Sequence, residues 1–240
     1  MMQYNLPRHV FIIPDGNRRW AMSRHLAPWE GHIQGRERFH EISDVAFECG
    51  ISYFTFWAAS EDNLTKRDPL EIHFLTELLQ KELEGDIAEK LFKNHVRFRV
   101  CGLWEKIFCD NRFSDYIHSL EEKTAGYQDW HLTILLGYSG KTEIADAAKA
   151  VRAASVVNPD DISFETVKRF SWTRSLPSVD LEIRTGEERS DWSHRSSGAL
   201  PFITADSACY HTETLWPDFS KEQFLSVIEQ YGAYERRFGA

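Results

Sequence analysis

The sequence predicts an α/β fold, in which a central, mostly parallel sheet is surrounded by helices within a single domain spanning residues 1–240. Two observations lead to this prediction. Short apolar runs alternate with segments whose apolar residues recur at helical spacing, a pattern typical of strands joined by helices. The 240 residues are 42% hydrophobic and 27% charged, so the chain is long and apolar enough to bury a large core.

The strands are predicted from runs of apolar and β-branched residues that end at turn-forming residues. The first run, His9–Ile13, stops at a Pro-Asp-Gly-Asn string, which is a turn composition. A later run over residues 96–100 alternates apolar and basic side chains, as a half-buried strand does. The predicted strands span residues 9–13, 51–58, 96–100, 131–136 and 179–183.

Helices are predicted between these strands, where apolar residues recur every three or four positions. Gly50 closes the first of them. Asp68 followed by Pro69 is an N-terminal capping signal, and the apolar residues beyond it predict one long helix. The stretch from the first turn to Gly31 is interpreted as a polar connection. The predicted helices span residues 33–49, 69–91, 113–120, 143–154 and 221–231.

The net charge narrows the classes of function. The chain has 37 acidic and 28 basic residues, a net charge of −9, whereas a general nucleic-acid binder needs a basic surface to neutralise phosphates. We therefore expect no nucleic-acid partner, and any anionic ligand must be held by a local cluster. The apolar runs are far shorter than the ~20 residues that cross a bilayer. We expect a cytoplasmic protein, with peripheral membrane association as a further option.

Two short strings resemble phosphate or metal motifs without completing them. Residues 139–142 read Ser-Gly-Lys-Thr after a predicted strand, but a GxxxxGK[ST] loop needs glycine where Leu135 stands. Asp160 and Asp161 begin a DDxxD-like string that has Phe164 in its last position. Neither string supports nucleotide binding or an aspartate-rich metal site.

The string after the first predicted strand is different in kind. Asp15, Gly16 and Asn17 follow the strand directly, and Arg18 and Arg19 come next. In open α/β sheets, ligands bind beyond the carboxyl ends of strands. Glycine lets backbone N–H groups approach an anion, and arginine grips phosphate oxygens in bidentate fashion. Asp15 would then hold a divalent cation that bridges to the phosphate, although a turn with surface charges has the same spacing.

The residues from His9 to Ala21 resemble the signature of the cis-prenyltransferases, the undecaprenyl diphosphate synthase family, whose first strand ends in HVAIIMDGNxRWA. The resemblance covers nearly the whole chain in order, and the chain is identified as an atypical member of the family. It implies a single α/β domain with a parallel sheet, an elongated hydrophobic tunnel and a homodimer. The other matching blocks are residues 31–32, 58–63, 94–102, 137–140, 181–186, 215–219 and 235–239.

The resemblance also implies a reaction and its residues. Family members use Mg²⁺ to condense an allylic diphosphate with isopentenyl diphosphate, forming a new Z double bond. Asp15 matches the aspartate that coordinates Mg²⁺ on the diphosphate. Asn63 matches an asparagine often assigned as proton acceptor, but a neutral amide is a weak base, so we interpret it as a positioning group and leave pyrophosphate or water as the acceptor. The positions matched to substrate binding are Gly16, Asn17, Arg18, Arg19, Trp20, His32, Ser60 and Arg67.

The second phosphate site is where the sequence departs from the family. The family pattern Arg-Thr-x-Gly-Glu-x-Arg-x-Ser holds isopentenyl diphosphate, and Arg184 begins that block here. Counting back from the later Leu-Trp-Pro block assigns the end of the pattern to Arg195 and Ser197, after an insertion. An alternative register uses Arg189 and Ser190.

Two further departures affect the metal site and the allylic site. The same count places Ala208 where family members carry the glutamate that completes the Mg²⁺ site, and Pro28 where many carry an arginine. Asp206 lies two residues from Ala208, and residues two apart in a strand share a face. If the loop bulges there, Asp206 supplies the missing carboxylate, and on that condition we assign Asp206, with Asp15, as a metal ligand.

Several functions follow from these residues. The favoured hypothesis is Mg²⁺-dependent prenyl transfer to isopentenyl diphosphate, with a short-chain product as one option. An altered acceptor site also allows a nonstandard acceptor, either a second C5 unit joined in irregular fashion or a hydroxyl compound. The alternative is a non-catalytic scaffold subunit of a prenyltransferase complex. The helical spacing of Phe74, Leu75, Leu78 and Leu79 fits core packing and contact with a prenyl tail equally well.

Overall fold

A computed structural model describes residues 5–66, 68–108, 111–154, 162–187 and 198–233. The described strands are β1 His9–Ile13, β2 Tyr53–Ser60, β3 Val96–Cys101, β4 Trp130–Tyr138, β5 Leu181–Arg184 and β6 Ala208–His211. They form a six-stranded sheet in the order β3-β4-β2-β1-β5-β6, and every neighbouring pair is parallel. The predicted α/β class is confirmed, and the sheet is more uniformly parallel than expected.

Helices lie on both faces of this sheet. The described helices are α1 Asn17–Ser23, α2 Pro28–Glu48, α3 Glu61–Lys66, α4 Pro69–Glu84, α5 Asp86–Lys93, α6 Trp104–Phe108, α7 Asn111–Thr124, α8 Gly140–Ala153, α9 Phe164–Lys168 and α10 Lys221–Ala233, with a short 3-10 helix at Trp216–Asp218. No helix in these ranges is both long and apolar enough to cross a membrane. That residues 1–240 form a single domain stays a prediction.

The strand β1 is buried on both faces because it lies in the middle of the sheet. Val10 and Ile12 belong to a core cluster shared with α2, α4, α5, α7 and α10. Phe11 and Ile13 belong to a second cluster that includes Ala147 of α8. A strand covered on both faces is expected to read as a continuous apolar run, as this one does.

Several elements differ from the sequence prediction, and the short helices α3, α6 and α9 were not predicted. The long helix predicted over residues 69–91 is two helices, because Gly85 leaves the helical conformation with φ −108° and ψ −117°. Its apolar spacing continues across the break, so the pattern alone did not show it. The connection predicted before Gly31 contains α1, and the short edge strand β6 was not predicted.

Parallel strands bring their carboxyl ends to one edge of the sheet. The residues at or just beyond those ends include Asp15 after β1, Ser60 in β2, Tyr138 in β4 and Arg184 in β5. Ligands of open α/β sheets bind at this edge. The topology therefore gathers the polar residues of four strands into one place.

Candidate active site

The turn after β1 places Asp15 at the carboxyl edge of the sheet. Gly16 has φ 111°, a left-handed conformation that favours glycine. A Cβ atom at Gly16 would lie 2.7 Å from the side chain of Leu215. Both the turn and the neighbouring chain therefore require glycine between Asp15 and α1.

Backbone contacts fix the position of Asp15. Its carbonyl oxygen accepts hydrogen bonds from the Thr185 hydroxyl at 2.9 Å and from the Trp216 N–H at 3.0 Å. The Thr185 N–H donates to the Ile13 carbonyl at 3.2 Å. Two other segments of the chain, at Thr185 and at Trp216, thus hold this residue in place, as a rigid site requires.

Two arginines flank the Asp15 carboxylate. Arg19 Nη2 lies 3.2 Å from Oδ1, and Arg184 Nη2 lies 3.4 Å from Oδ2. Arg184 is only 6% exposed, and its Nε lies 2.9 Å from the Glu187 carboxylate. Arg19 also donates to the Gly186 carbonyl at 2.5 Å. The two guanidinium groups therefore converge on one carboxylate.

A polar cavity of about 730 Å³ lies in front of this cluster. It opens at the carboxyl ends of the central strands, where the topology gathers polar residues. The predicted site residues that line it are Asp15, Gly16, Asn17, Arg18, Arg19, His32, Ser60, Asn63 and Arg184. The structure thus brings together residues that lie far apart in the sequence.

His32 and Arg18 share a carboxylate at the rim of the polar cavity. Glu71 Oε1 lies 3.4 Å from His32 Nε2 and 3.8 Å from Arg18 Nε. His32 is on α2 and Glu71 is near the start of α4, so this contact joins the two helices beside the cavity mouth.

Ser60 and Asn63 cap the first turn of α3. The Asn63 N–H donates to the Ser60 hydroxyl at 3.0 Å, and the Ser60 N–H donates to Asn63 Oδ1 at 3.3 Å. This is the reciprocal geometry of a capping box. Because Asn63 Oδ1 accepts a backbone hydrogen bond, the contact agrees with the interpretation of Asn63 as a positioning group.

A second, apolar cavity of about 120 Å³ adjoins the polar one between α2, α4 and the sheet. The two cavities share Pro14, Asn17, His32 and Ala58 in their walls. The helical spacing of the apolar residues in α4 fitted both core packing and contact with a prenyl tail. In the structure the Phe74 ring lies 6.4 Å from the Trp29 ring. The other three residues, Leu75, Leu78 and Leu79, line the apolar cavity.

Residues at the end of β4 and the start of α8 also line the polar cavity, and they were not predicted as site residues. Ser139 caps α8, and Tyr138, Ser139 and Lys141 line the polar cavity. The Thr142 hydroxyl donates to Glu61 at 2.6 Å, which ties α8 to α3. The signal was the Ser-Gly-Lys-Thr string, which sequence reasoning set aside because it does not complete a phosphate loop.

Comparison with known proteins decides the family. The family model described as "Putative undecaprenyl diphosphate synthase" matches residues 13–239. The chain belongs to this family. The predicted enzyme class, a prenyltransferase, is therefore confirmed. Membership of the family does not determine the chain length of the product or the acceptor.

Curated members of the family are similar over almost their whole length. An isoprenyl transferase from Thermus thermophilus is 36% identical, over 98% of this chain and 89% of that protein. A tritrans,polycis-undecaprenyl-diphosphate synthase (geranylgeranyl-diphosphate specific) from Thermoplasma acidophilum is 34% identical, over 99% of this chain and 90% of that protein.

Two solved structures of cis-prenyltransferases share the fold. Lavandulyl diphosphate synthase from Lavandula x intermedia, in complex with dimethylallyl diphosphate, superposes with a TM-score of 0.89 and 29% identity, covering 98% of this chain and 99% of that one. A probable undecaprenyl diphosphate synthase from Campylobacter jejuni superposes with a TM-score of 0.77 and 28% identity, covering 98% and 100%.

Trp20, assigned from the cis-prenyltransferase signature, is not among the described residues that line the polar cavity. The Trp20 indole N–H donates to Asp218 at 2.7 Å, and the Arg24 guanidinium lies 4.3 Å from the centre of the Trp20 ring. Trp20 therefore packs on the outer surface of α1. The remaining assigned residues lie outside the described ranges, namely Arg67, Arg195 and Ser197 with the alternatives Arg189 and Ser190.

The assignment of Asp206 as a metal ligand beside Asp15 is wrong in this structure. Ala208 pairs with Leu181, and Leu181 pairs with Val10 near the start of β1. Asp206 precedes Ala208 and lies at the amino ends of the strands, whereas Asp15 follows a carboxyl end. The distance along the sheet exceeds about 10 Å, given a rise of roughly 3.3 Å per residue. Counting along the sequence could not show at which end β6 begins.

Proposed function

We propose that this cis-prenyltransferase transfers the prenyl group of an allylic diphosphate to isopentenyl diphosphate and forms a Z double bond. One observation carries the proposal: Asp15, Arg19 and Arg184 meet where a polar cavity opens into an apolar one. A diphosphate and a hydrocarbon tail need those two environments side by side.

The residues around Asp15 suit Mg²⁺ bound together with a phosphate. Among the described ranges, no group of three potential metal ligands includes Asp15. Mg²⁺ is commonly held by one or two carboxylates plus substrate phosphates rather than by a protein cage. Asp15 would hold the ion, which would neutralise charge on the diphosphate.

The arginines act on the leaving group. When the bond between C1 and the diphosphate oxygen breaks, the electron pair stays on pyrophosphate and the allylic carbon becomes cationic. Fixed guanidinium groups stabilise that developing charge without reorganisation, because contacts with Gly186 and Glu187 already hold them. The double bond of isopentenyl diphosphate supplies the electron pair of the new carbon–carbon bond.

Loss of a proton then completes the product. Asn63 is a poor acceptor, since its amide is a weak base and its carbonyl is engaged by the Ser60 N–H. We assign the proton to pyrophosphate or to a water molecule. Asn63 then acts as a positioning residue: its hydrogen bonds at the start of α3 hold Ser60, and with it this part of the cavity wall, in place.

Irregular coupling of two C5 units is the second candidate. It is favoured by the high TM-score with lavandulyl diphosphate synthase, whose structure holds dimethylallyl diphosphate. In that reaction a second allylic molecule takes the place of isopentenyl diphosphate, and the diphosphate of the first still leaves toward Arg19.

A pyrophosphate-release assay separates these functions. Purified protein with Mg²⁺ is incubated with dimethylallyl, geranyl or farnesyl diphosphate, with and without isopentenyl diphosphate. The molecular masses of the products are measured by mass spectrometry. Release only with isopentenyl diphosphate supports regular condensation, and release from dimethylallyl diphosphate alone supports irregular coupling. Release with an added alcohol supports a hydroxyl acceptor. No release under any condition supports the scaffold alternative.

The homodimer implied by the resemblance stays part of the proposal. Among the described strands, β6 lies at an edge of the sheet and its residues are partly exposed, a position that proteins usually cover or pair. Light scattering after size exclusion measures the mass directly, and twice 28.0 kDa is expected for the dimer.

A further inference from the structure

An ion cluster joins α2 to α4 across the apolar cavity, and two of its members line that cavity. We define the ion cluster as Arg36 and His40 of α2 with Glu82 of α4. Arg36 Nη1 donates to Glu82 Oε1 at 3.0 Å, and His40 Nε2 lies 2.8 Å from Glu82 Oε2. The Glu82 side chain is 11% exposed, so both contacts are largely shielded from water.

The ion cluster and the contact at the cavity mouth form two cross-links between the same helices. The mouth contact joins His32 to Glu71, and the ion cluster joins His40 to Glu82. Eight residues of α2 separate the two histidines, which is about 12 Å along the helix. The contact of the earlier residue of α2, His32, is with the earlier residue of α4, Glu71, and the later residues His40 and Glu82 contact each other. The helices α2 and α4 therefore run in the same direction on either side of the cavity.

Between these cross-links the wall is apolar. Phe39 of α2 and the leucines of α4 face the space, and Phe56, Ile134 and Leu136 of the sheet form its floor. Arg36 and Glu82 themselves contribute to the lining. A hydrocarbon tail that enters from the polar cavity therefore meets ions after a short apolar path.

The volume of the apolar cavity sets a scale for that path. It is about 120 Å³. A dry protein cavity of about 150 Å³ binds benzene, so the space holds roughly one five-carbon unit beyond the polar cavity. A longer tail would have to pass the ion cluster, and separating its members would leave a charge buried without its partner.

We propose that the ion cluster of Arg36, His40 and Glu82 sets the upper limit on the prenyl chain and restricts this enzyme to C5 and C10 allylic diphosphates. This inference rests on the proposed function, because it assumes that the apolar cavity receives the prenyl tail. Glu82 is then a residue that determines specificity and stands apart from the reacting atoms.

A ladder of substrate analogues tests the limit on the unaltered protein. Non-cleavable thiolodiphosphates of C5, C10, C15 and C20 chain length are titrated calorimetrically with Mg²⁺ present, and turnover of the cleavable diphosphates is measured in parallel. We expect binding at C20 to be weaker than at C10 by at least about 10-fold, a typical penalty for groups that a pocket cannot accommodate. Equal or tighter binding at C20 would overturn the inference. Absence of turnover with an intact binding ladder would count against the proposed function only.

A triple variant tests the ion cluster itself. Arg36→Ala, His40→Ala and Glu82→Ala together remove all three side chains, so that Glu82 is not left buried without its partners. Glu37, which also pairs with Arg36, stays exposed to water. We expect C15 and C20 analogues to gain affinity by at least about 10-fold relative to C5. The matched control is Glu77→Ala on the same helix, because Glu77 pairs with His73 on its exposed face. A cluster that serves only to tie α2 to α4 would lower the melting temperature and leave the length preference unchanged. If the triple variant does not fold, the ladder on the unaltered protein decides alone.

Discussion

Arg184 Nη2 lies 3.4 Å from Asp15 Oδ2, and this contact joins the ends of β5 and β1. The side chain of Asp15 is 44% exposed and that of Arg184 is 7% exposed. The carboxylate therefore faces the polar cavity while the guanidinium supports it from behind. An acid held in this way is oriented before any ligand arrives, which reduces the cost of ordering the site on binding.

Asp15→Asn should abolish most of the activity without unfolding the protein. The amide is nearly the same size but carries no charge with which to hold a divalent ion. We expect pyrophosphate release to fall by at least about 100-fold, in the range seen when a single electrostatic contact to a transition state is lost. Urea unfolding should change little. An Asn variant that turns over at the original rate would remove Asp15 from the mechanism.

Arg19→Ala should weaken catalysis more than the loss of another arginine nearby. A charge-assisted hydrogen bond contributes roughly 1.5–3 kcal/mol, so we expect kcat/KM to fall by about 10- to 100-fold. Arg24→Ala is the matched control, since Arg24 pairs with Asp218 on the outer surface of α1. Similar losses in the two variants would indicate a general effect of charge rather than a contact at the site.

The sequence was most informative where one strand and its following turn carry several signals at once. His9–Ile13 is a strand with the predicted bounds, because a central strand is apolar throughout and a Pro-Asp-Gly turn ends it. The break between α4 and α5 at Gly85 was not predicted, because the helical spacing of apolar residues continues through it. The spacing of apolar residues indicates which face of a helix a residue occupies, but it carries little information on where one helix ends and the next begins.

Glu143→Ala should destabilise the protein strongly although it lies outside the polar cavity. Glu143 is fully buried and accepts hydrogen bonds from the Thr173 N–H at 2.9 Å and the Thr173 hydroxyl at 2.7 Å. It also accepts one from the Tyr138 hydroxyl, whose pKa is raised by burial and by this carboxylate, so that the donor stays protonated.

Removing Glu143 leaves these donors without an acceptor, and we expect the free energy of unfolding to fall by about 3 kcal/mol in urea titrations. Asp146→Ala is the control on the same helix, because Asp146 pairs with Lys149 at the surface. A loss no larger than that of the control would mean that the buried network contributes nothing to stability.

His9 should make stability fall at acidic pH. Burial lowers the pKa of His9 from 6.5 to about 4, and this outweighs the opposing hydrogen bond to the Pro177 carbonyl. The folded protein therefore favours the neutral ring, whose Nε2 lies 2.8 Å from the Thr55 hydroxyl. The contribution of His9 is complete above pH 6.5 and is lost as the pH falls toward 4, by about 3 kcal/mol at most.

The measurement is the free energy of unfolding at pH 7 and pH 4 for the unaltered protein and for His9→Gln. Glutamine cannot take up the proton, so the difference between the two proteins should shrink by about 3 kcal/mol at the lower pH. Parallel pH profiles would show that another group causes the acid instability.

The candidate site was predictable where its residues are local in sequence and not where they depend on strand placement. Asp15 to Arg19 follow one strand, and the rule that ligands bind at carboxyl ends, together with the resemblance to the family signature, singled them out. Lys141 reaches the same cavity from the start of α8, which follows β4, and Asp206 is not among the described residues that line it, because strand order and register decide both. Neither property can be read from a single chain.

The most direct test of the account is a crystal structure with Mg²⁺ and the thiolo analogue of dimethylallyl diphosphate. The account predicts that the diphosphate contacts Gly16 and Arg19, that the metal ion bridges it to Asp15, and that the C5 tail points toward Leu75 and Leu78. A diphosphate bound at Lys141 and the start of α8, with no metal ion on Asp15, would contradict the account.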